Sequence, residues 1–269
     1  YLAHRDRLAL ARTTRVADQV RLAPFLVFCR RNDITNPVVV TPQVLLDFAR
    51  FIQTKYRSKG KGRRAGRLGP VTCIYVLQAV ARLFAYLVKE GRVLMSPAAA
   101  LPVRSPRWPA LPRTVEPHEM DALVRVTDDE TPVGLRDRAV LEVLFGCGLR
   151  RAELVGLDLY DRALARGCVT VRRGKGDKSR TVPVAGAAHE ALLEYLENAR
   201  PVLMSAHSDR ALFLSSTGRR MNTTTLRDRV ILYANKARLT HPVTVHAFRH
   251  GFATSLIRGG ADVRHVQEL

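Results

Sequence analysis

The sequence of 269 residues predicts a mainly α-helical protein: an all-α domain, a Pro-rich linker, and a mainly α domain with a small antiparallel β-sheet. Three observations predict this organisation. Apolar residues recur at helical spacing in both halves, four prolines fall within residues 102–113, and two alternating segments flank a glycine-rich turn between residues 168 and 184. Because so many prolines exclude a helix or a central strand, we place the domain boundary there.

Helical spacing defines the first domain. Residues 71–90 carry apolar side chains at i, i+3 and i+4, and Gly91 follows as a helix stop. Residues 42–53 form a second predicted helix with one apolar side. No apolar run approaches 18 residues, so the sequence predicts no membrane-spanning segment and no membrane partner.

The second domain is predicted to combine helices with one hairpin. Pro117 suits the first position of a helix, and Glu119 and Asp121 favour its positive N-terminus. Residues 168–173 and 179–184 alternate on either side of a turn, which is the pattern of a β-hairpin. The remaining predicted helices span residues 135–145, 151–157, 188–199, 223–238 and 246–258, the last ended by Gly259 and Gly260.

Basic residues dominate the composition. Lys and Arg number 44 against 24 Asp and Glu, which gives a formal charge of +20. Residues 1–115 hold 21 basic and 5 acidic residues, whereas residues 116–269 hold 23 and 19, so most of the excess lies in the first part. Such an excess favours a polyanionic partner, and nucleic acid is the foremost candidate.

A basic run between the two helices of the first domain is a candidate phosphate contact. It contains three glycines and no acidic residue, so it cannot pack a core and we expect a mobile loop. Its candidate DNA-binding residues are Arg57, Lys59, Lys61, Arg63, Arg64 and Arg67. A merely solvated loop is the alternative interpretation.

Cysteine usage bounds the class of protein further. Cys29, Cys73, Cys147 and Cys168 lie far apart and show no Cys-x-x-Cys spacing. This pattern argues against a zinc module or a disulfide scaffold. It fits a reducing compartment, so we expect the protein in the cytoplasm.

Three segments hold side chains that suit phosphate chemistry. Gly148 breaks one predicted helix and Arg150 opens the next, where free N–H groups and a guanidinium attract a phosphate. Lys175 stands between glycines at the hairpin tip, and His246 and Arg249 share one face of a helix. Each segment alone is weak evidence, because a surface salt bridge or a solvated turn has the same pattern. Their joint occurrence in this order is informative.

These segments resemble the boxes of the tyrosine recombinases, the Xer/phage-integrase family. The matching stretches are residues 148–157, 174–184 and 246–254. Residues 77–87 with Ser96 and Pro97 are similar to the family's helical core-binding domain, and residues 260–269 to the segment that leads into its Leu-Gly-His box. The resemblance covers nearly the whole chain. It implies the tyrosine recombinase fold, with a core-binding (DNA-binding) domain at residues 1–103, a linker at 104–115 and a catalytic domain at 116–269.

The resemblance also implies an activity: site-specific recombination of duplex DNA through a covalent 3′-phosphotyrosyl intermediate, for integration, excision or dimer resolution, with neither metal nor other cofactor. Arg150 and Arg249 match the arginines that hold the scissile phosphate, and bidentate donors suit the charge that builds on its oxygens. Lys175 matches the family's mobile general-acid lysine, and His246 matches a histidine that assists proton transfer. The implied assembly is a homo-tetramer, or a hetero-tetramer with a related recombinase, on two DNA sites at the nucleoid.

The sequence departs from the family pattern after Arg249. The family's second histidine and its nucleophilic tyrosine should follow there, yet all seven tyrosines lie upstream. We therefore expect a C-terminally truncated fragment whose missing groups lie beyond Leu269 and which is inactive without the tyrosine. We expect His265 to occupy a surface helix position instead of replacing the missing histidine.

Three alternatives stay open at this point. A non-catalytic DNA-binding protein of the same fold, lacking the nucleophile, is the main one. A type IB topoisomerase uses similar chemistry but fits the two-domain size less well. An RNA-binding module is weaker still, because only 6% of the residues are aromatic and no RNP-like strand is present.

Overall fold

A computed structural model describes residues 12–59, 65–101, 113–163, 167–172 and 179–268. The chain separates into two compact units, Tyr1–Pro109 and Ala110–Leu269, and each has an apolar core of its own. The division falls between the residues predicted as a linker, of which 104–112 lie outside the described part. The functional assignment of the two units stays a prediction.

Unit 1 is a helical unit, as the fold class predicts. Its main helices are α1 (Arg12–Arg31), α2 (Pro42–Thr54) and α3 (Pro70–Lys89), with 3-10 turns at Pro37–Val39 and Pro97–Ala100. The predicted helices at 42–53 and 71–90 are therefore confirmed. Thr41 caps α2 by accepting the N–H of Val44 at 3.3 Å, and a proline occupies the first turn of α2 and of α3.

Aromatic rings fill the centre of unit 1. Phe25 of α1 meets Phe48 of α2 at a centroid distance of 5.0 Å and Phe84 of α3 at 6.0 Å, both edge to face. All three are almost fully buried. One side chain from each helix thus locks the three helices together through large apolar surfaces.

Helix α3 corrects one expectation of the sequence analysis. By length and composition alone it is long and apolar enough to cross a membrane, with a mean hydropathy of 1.8 over its most apolar window. Its side chains Leu77, Val80 and Phe84 are nevertheless buried in the core of unit 1. Packing against α1 and α2 therefore accounts for the apolar character of α3, which is the ordinary behaviour of a core helix.

The basic run is more regular than the predicted loop. Strand β1 (Ser58–Lys59) pairs antiparallel with β2 (Ala65–Gly66), with Ser58 opposite Gly66. The two strands bring the ends of the run together into a short hairpin, so the expectation of a loop throughout was wrong at its ends. Arg57 and Arg67 are exposed. Lys61, Arg63 and Arg64 lie outside the described residues, and nothing is described of the Lys59 side chain.

Unit 2 is mainly helical with one small sheet. Its helices are α4 (Pro117–Arg125), α5 (Pro132–Cys147), α6 (Arg151–Gly156), α7 (Ala187–Glu194), α8 (Arg200–Leu203), α9 (Thr223–Lys236), α10 (Val245–Arg258) and α11 (Val263–Glu268). A π-helical turn, Tyr195–Ala199, makes α7 and α8 continuous. The predicted helices are confirmed, and Pro117 does open α4.

The sheet of unit 2 contains the predicted hairpin. Strands β3 (Arg162–Ala163), β4 (Cys168–Val171) and β5 (Arg180–Pro183) pair antiparallel in that order. Val169 faces Val182 across β4 and β5, and both are buried in the core. The hairpin prediction is confirmed for its strands, β3 is an addition, and the turn at residues 173–178 lies outside the described part.

Helix α5 runs through the middle of unit 2 and carries a buried ion cluster. Asp137, only 1% exposed, accepts Nε and Nη2 of Arg136 on one oxygen, at 2.9 and 2.7 Å. Its other oxygen accepts Nε of Arg229 at 2.5 Å and the hydroxyl of Tyr233 at 2.9 Å, both from α9. Arg136 also donates to the carbonyl of Leu214 at 3.1 Å. The cluster therefore ties α5 to α9 and to the segment before α9.

Replacing Asp137 by Asn tests this anchor. We expect the D137N variant to lose about 3–5 kcal/mol of unfolding free energy, because the buried guanidinium of Arg136 keeps its charge and loses its counter-ion. Urea unfolding followed by circular dichroism measures the loss. The control is D228N on α9, where an exposed carboxylate pairs with exposed Arg227 and the expected change is below about 1 kcal/mol. Equal stability of the two variants would contradict the anchoring role.

Candidate active site

A sharp corner at Gly148 joins α5 to α6. Gly148 follows α5 with φ of 58° and ψ of 28°, which is the left-handed conformation that glycine adopts without strain. A Cβ at this position would lie 2.3 Å from a ring carbon of Phe252 on α10. The absence of a side chain thus permits both the turn and the close approach of α10 to the start of α6.

Arg150 caps the N-terminus of α6, and Glu153 lies one turn further on. The Glu153 carboxylate accepts the backbone N–H of Arg150 at 2.8 Å and its Nη1 at 2.7 Å. This backward reach to the residue before the helix is half of a capping box. A protein carboxylate therefore occupies the N–H group that the sequence analysis expected to attract phosphate. The guanidinium of Arg150, on a side chain that is 34% exposed, is the group available to a ligand.

Arg180 approaches the same carboxylate from the sheet. It begins β5, opposite Val171 of β4. Its Nη1 and Nη2 donate to the two oxygens of Glu153 at 2.9 and 2.7 Å, which is the bidentate geometry of a strong ion pair. Glu153 is 3% exposed and Arg180 is 15% exposed at the side chain. The carboxylate is thus buried beneath both guanidinium groups.

Charge balance keeps Glu153 ionised. Burial by itself raises the pKa of this carboxyl group, but hydrogen bonds from Arg180 and Arg150 outweigh burial and lower the pKa to about 2. Glu153 therefore carries a negative charge at any pH at which the protein is expected to work.

Arg249 comes to the cluster from α10. Thr244 caps this helix by accepting the N–H of Ala247 at 3.3 Å, and Arg249 lies in the next turn. Its Nη1 donates to the carbonyl of Gly148 at 2.6 Å. Burial and then the charge of Arg150 lower the pKa of Arg249, with Arg180 adding to the effect and Glu153 opposing it. The two arginines predicted to act together are therefore close in space.

The cluster has more positive than negative charge. Arg150, Arg180 and Arg249 supply three guanidinium groups, and among the described residues Glu153 supplies the one carboxylate hydrogen-bonded to Arg150 and Arg180. An excess of two positive charges at a partly exposed position suits a phosphate whose oxygens gain negative charge during reaction. The arrangement can hold a phosphodiester and stabilise a more highly charged transition state.

The other predicted residues differ in what the structure describes. His246 is exposed and lies one helical turn before Arg249 on α10, so the two share a face as the spacing predicts. Lys175 falls within residues 173–178 and lies outside the described part. His265 is exposed on α11, the surface helix position expected of it.

Two tyrosines of unit 2 are committed to its interior. The Tyr195 hydroxyl donates to the carbonyl of Leu212 at 3.0 Å, and burial raises its pKa. The Tyr233 hydroxyl donates to Asp137, and burial together with that carboxylate raises its pKa to about 12. Neither hydroxyl is suited to attack a phosphate.

Sequence reasoning missed the roles of Glu153 and Arg180. A signal existed for Glu153, because a glutamate three residues after a helix-opening residue is a capping pattern. No local signal existed for Arg180, since its partner lies 27 residues away in the chain. Only the tertiary fold of unit 2 brings the two together.

Replacing Gly148 by Ala tests the corner. We expect the G148A variant to lose about 2 kcal/mol or more of unfolding free energy, because alanine is strained at positive φ and its Cβ overlaps Phe252. Chemical unfolding measures the loss. The control is G156A at the end of α6, where a Cβ meets nothing within 4 Å and the expected loss is under about 0.5 kcal/mol. An unaffected G148A protein would show that the corner tolerates a side chain.

Comparisons with known proteins identify the family of the chain. The model of the phage integrase family matches residues 113–269. Tyrosine recombinase XerC 2 of Ralstonia nicotianae (strain ATCC BAA-1114 / GMI1000) is 36% identical over 259 residues, which is 94% of this chain and 71% of that protein. Tyrosine recombinase XerC of Myxococcus xanthus is 37% identical over 240 residues, with coverage of 84% and 79%.

A solved structure agrees with the fold. The crystal structure of XerH site-specific recombinase bound to palindromic difH substrate, a post-cleavage complex, superposes with a TM-score of 0.74. The match covers 95% of this chain and 72% of that one, at 21% identity, and so speaks for the fold alone. The family match over residues 113–269 and the identity to curated relatives over most of both chains carry the assignment. The chain belongs to the phage integrase family and is a tyrosine recombinase.

Proposed function

We propose that the chain supplies the DNA-binding and phosphate-holding parts of a recombinase that cuts and rejoins duplex DNA at specific sites through a 3′-phosphotyrosyl intermediate. The observation that supports this most is the placement of Arg150 and Arg249 at the Gly148 corner, where Arg249 donates to the Gly148 carbonyl two residues before Arg150. They come from α6 and α10, share the corner at Gly148, and leave an excess of positive charge. Integration, excision and dimer resolution all use this chemistry.

The two arginines hold the scissile phosphate. A phosphodiester carries one negative charge, and in-line attack by an oxygen nucleophile builds a second on its non-bridging oxygens. Two planar guanidinium groups, each able to make paired hydrogen bonds, stabilise that second charge more than the first. Arg150 and Arg249 are therefore catalytic residues in this proposal, with Glu153 as a positioning residue beneath Arg150.

Proton transfer falls to Lys175 and His246. The tyrosine oxygen forms a bond to phosphorus and passes its proton to His246, while the bond to the 5′-oxygen breaks and that oxygen gains a proton. Lys175, which lies between β4 and β5 in the sequence, donates the proton to the leaving 5′-oxygen. His246, one turn from Arg249, hydrogen-bonds the phosphate and assists the transfer. The phosphotyrosine conserves the energy of the bond, so the exchange uses no nucleotide and no metal.

The nucleophile in this proposal is a tyrosine encoded after Leu269, accompanied by a second histidine. Tyr195 and Tyr233 are unsuited to the role because their hydroxyls are buried and hydrogen-bonded within unit 2. Tyr160 is 77% exposed but precedes Arg249 in the chain, whereas the resemblance places the nucleophile after that arginine. The complete gene provides the test that separates the two leading functions. A complete product without either group would be a non-catalytic DNA-binding protein of this fold.

DNA binding is proposed for both units. Residues 1–103 are the core-binding domain, where the basic excess lies, and residues 116–269 are the catalytic domain. The working assembly is a tetramer on two DNA sites, built from this chain alone or together with a related recombinase, in the cytoplasm at the nucleoid. Mass measurement of the complex on paired sites tests the tetramer.

Removing either arginine tests the catalytic roles. In the product of the complete gene, we expect R150A and R249A each to slow formation of the covalent DNA adduct by about 100-fold or more, because each removes a donor to the developing charge. Affinity for the DNA site should fall by no more than about tenfold, since binding is spread over many phosphates. Gel shift and denaturing gel electrophoresis measure the two quantities.

The matched control for this test is R227A, which removes an exposed arginine of α9 paired with Asp228. Its adduct formation should equal that of the unaltered protein. Equal loss of binding and cleavage in R150A or R249A would contradict the catalytic roles.

Neutralising the basic run tests its contact with DNA. Changing Arg57, Lys59, Lys61, Arg63, Arg64 and Arg67 to Gln should weaken binding to duplex DNA of any sequence. The slope of log affinity against log salt should become shallower by about 0.9 for each phosphate that the variant no longer neutralises. The control is R50Q, which removes an exposed arginine that pairs with Asp47 on α2. An unchanged slope would favour the solvated-loop interpretation, and a preference for duplex RNA would oppose the DNA assignment.

A further inference from the structure

We infer that Arg180 is a positioning residue for strand transfer: by occupying the Glu153 carboxylate from the sheet side, it keeps the guanidinium of Arg150 available to the scissile phosphate. This inference rests on the proposed function, because it assigns Arg180 a part in the same reaction. Arg180 acts through Glu153 and Arg150 and does not itself hold the phosphate.

The division of the Glu153 oxygens supports this role. Arg180 takes both oxygens side-on, with Nη1 and Nη2 at 2.9 and 2.7 Å. The backbone N–H of Arg150 takes one of them at 2.8 Å, which leaves the Arg150 side chain a contact through Nη1 alone, at 2.7 Å. The Nε and Nη2 donors of the Arg150 guanidinium therefore remain unused by Glu153. A bidentate Arg150–Glu153 pair would use the donors that a phosphate needs.

Burial orders the three groups in depth. Glu153 is 3% exposed, Arg180 is 15% exposed and Arg150 is 34% exposed at the side chain. Arg180 is thus the buried partner that neutralises the carboxylate, and Arg150 is the one that solvent and substrate reach. Because Arg180 directs both terminal nitrogens to Glu153, it has little left to offer a phosphate directly.

The charge of the site depends on the same contact. With Arg180 present, one carboxylate is balanced by one buried guanidinium, and Arg150 and Arg249 contribute two uncompensated charges. Without Arg180, Glu153 would be balanced by Arg150, and one uncompensated charge would remain. A transition state that carries two negative charges would then lose about half of its electrostatic complement.

Arg180 also connects two parts of the chemistry. It follows Lys175 by only five positions and begins the return strand of the same hairpin. Its bridge to Glu153 joins that strand to α6, which carries Arg150. The contact therefore sets the hairpin that carries the general acid against the helix that carries a phosphate ligand.

The test compares R180M with the unaltered product of the complete gene. Adduct formation in a single turnover should slow by about 100-fold, because Glu153 captures Arg150, while DNA affinity changes by less than about threefold. On a substrate with a methylphosphonate at the scissile position, which lacks one negative oxygen, the loss should shrink to about tenfold or less. Equal losses on both substrates would show a structural role only and overturn the inference.

A suppressor separates positioning from folding. In E153Q R180M, no carboxylate remains to capture Arg150, so adduct formation should be faster than in R180M alone. R180K should recover part of the loss, since it restores the charge but not the paired donors. If R180M does not fold, R180K replaces it in the test. We then expect adduct formation to be about tenfold slower on the phosphodiester and near normal on the methylphosphonate. A double variant slower than R180M, or an R180K protein with normal rate on the phosphodiester, would overturn the inference.

Vanadate binding distinguishes this inference from the proposed function. If the unaltered protein forms no adduct, the proposed function fails. The availability of Arg150 is then measured by the binding of orthovanadate, which adopts the geometry of the transition state. In ⁵¹V NMR titrations, R180M should bind orthovanadate about tenfold more weakly than the unaltered protein, and R227A should bind it equally. Unchanged vanadate affinity in R180M would overturn the inference whatever the activity.

Discussion

The ion pairs of Glu153 organise the candidate site, because they keep this buried carboxylate ionised. Its two oxygens receive four hydrogen bonds, two from Arg150 and two from Arg180. These bonds outweigh burial and lower the pKa of the carboxyl group to about 2. The same four bonds join the start of α6 to the return strand of the sheet. The proposed phosphate site is thus organised around a single buried negative charge.

The support for this cluster lies along α5. At its N-terminal half, Asp137 holds Arg136, Arg229 and Tyr233 in the core and ties α5 to α9. At its C-terminal end, Gly148 turns the chain into α6 and offers its carbonyl to Arg249. At both positions the anchor is a hydrogen-bonded oxygen: the Asp137 carboxylate accepts from Arg136, Arg229 and Tyr233, and the Gly148 carbonyl accepts from Arg249. A helix anchored at these two positions holds Arg249 beside the start of α6, where Arg150 lies.

Apolar periodicity and helix-ending glycines predict several of the long helices, although the sequence analysis names no helix at α1. Helices α2 and α3 follow from apolar residues at helical spacing, and α10 ends at Gly259 as the sequence indicates. Two-residue strands such as β1, β2 and β3 carry too few residues to show an alternation, so the sequence predicts a loop for the basic run and gives no sign of β3. The composition of α3 does not distinguish a core helix from a membrane-spanning one, because both are long and apolar. The packing of α3 in the core of unit 1 makes that distinction.

Local sequence patterns are sufficient to name the candidate residues for the chemistry. Arg150, Lys175, His246 and Arg249 stand in short local patterns, and those patterns together are specific to the tyrosine recombinases. The folded chain alone reveals that Glu153 pairs with Arg150 and that Arg180 shares this carboxylate. The physical reason is that charge and hydrogen bonding depend on distance and burial between segments far apart in the chain. A residue's neighbours along the sequence do not reveal either quantity.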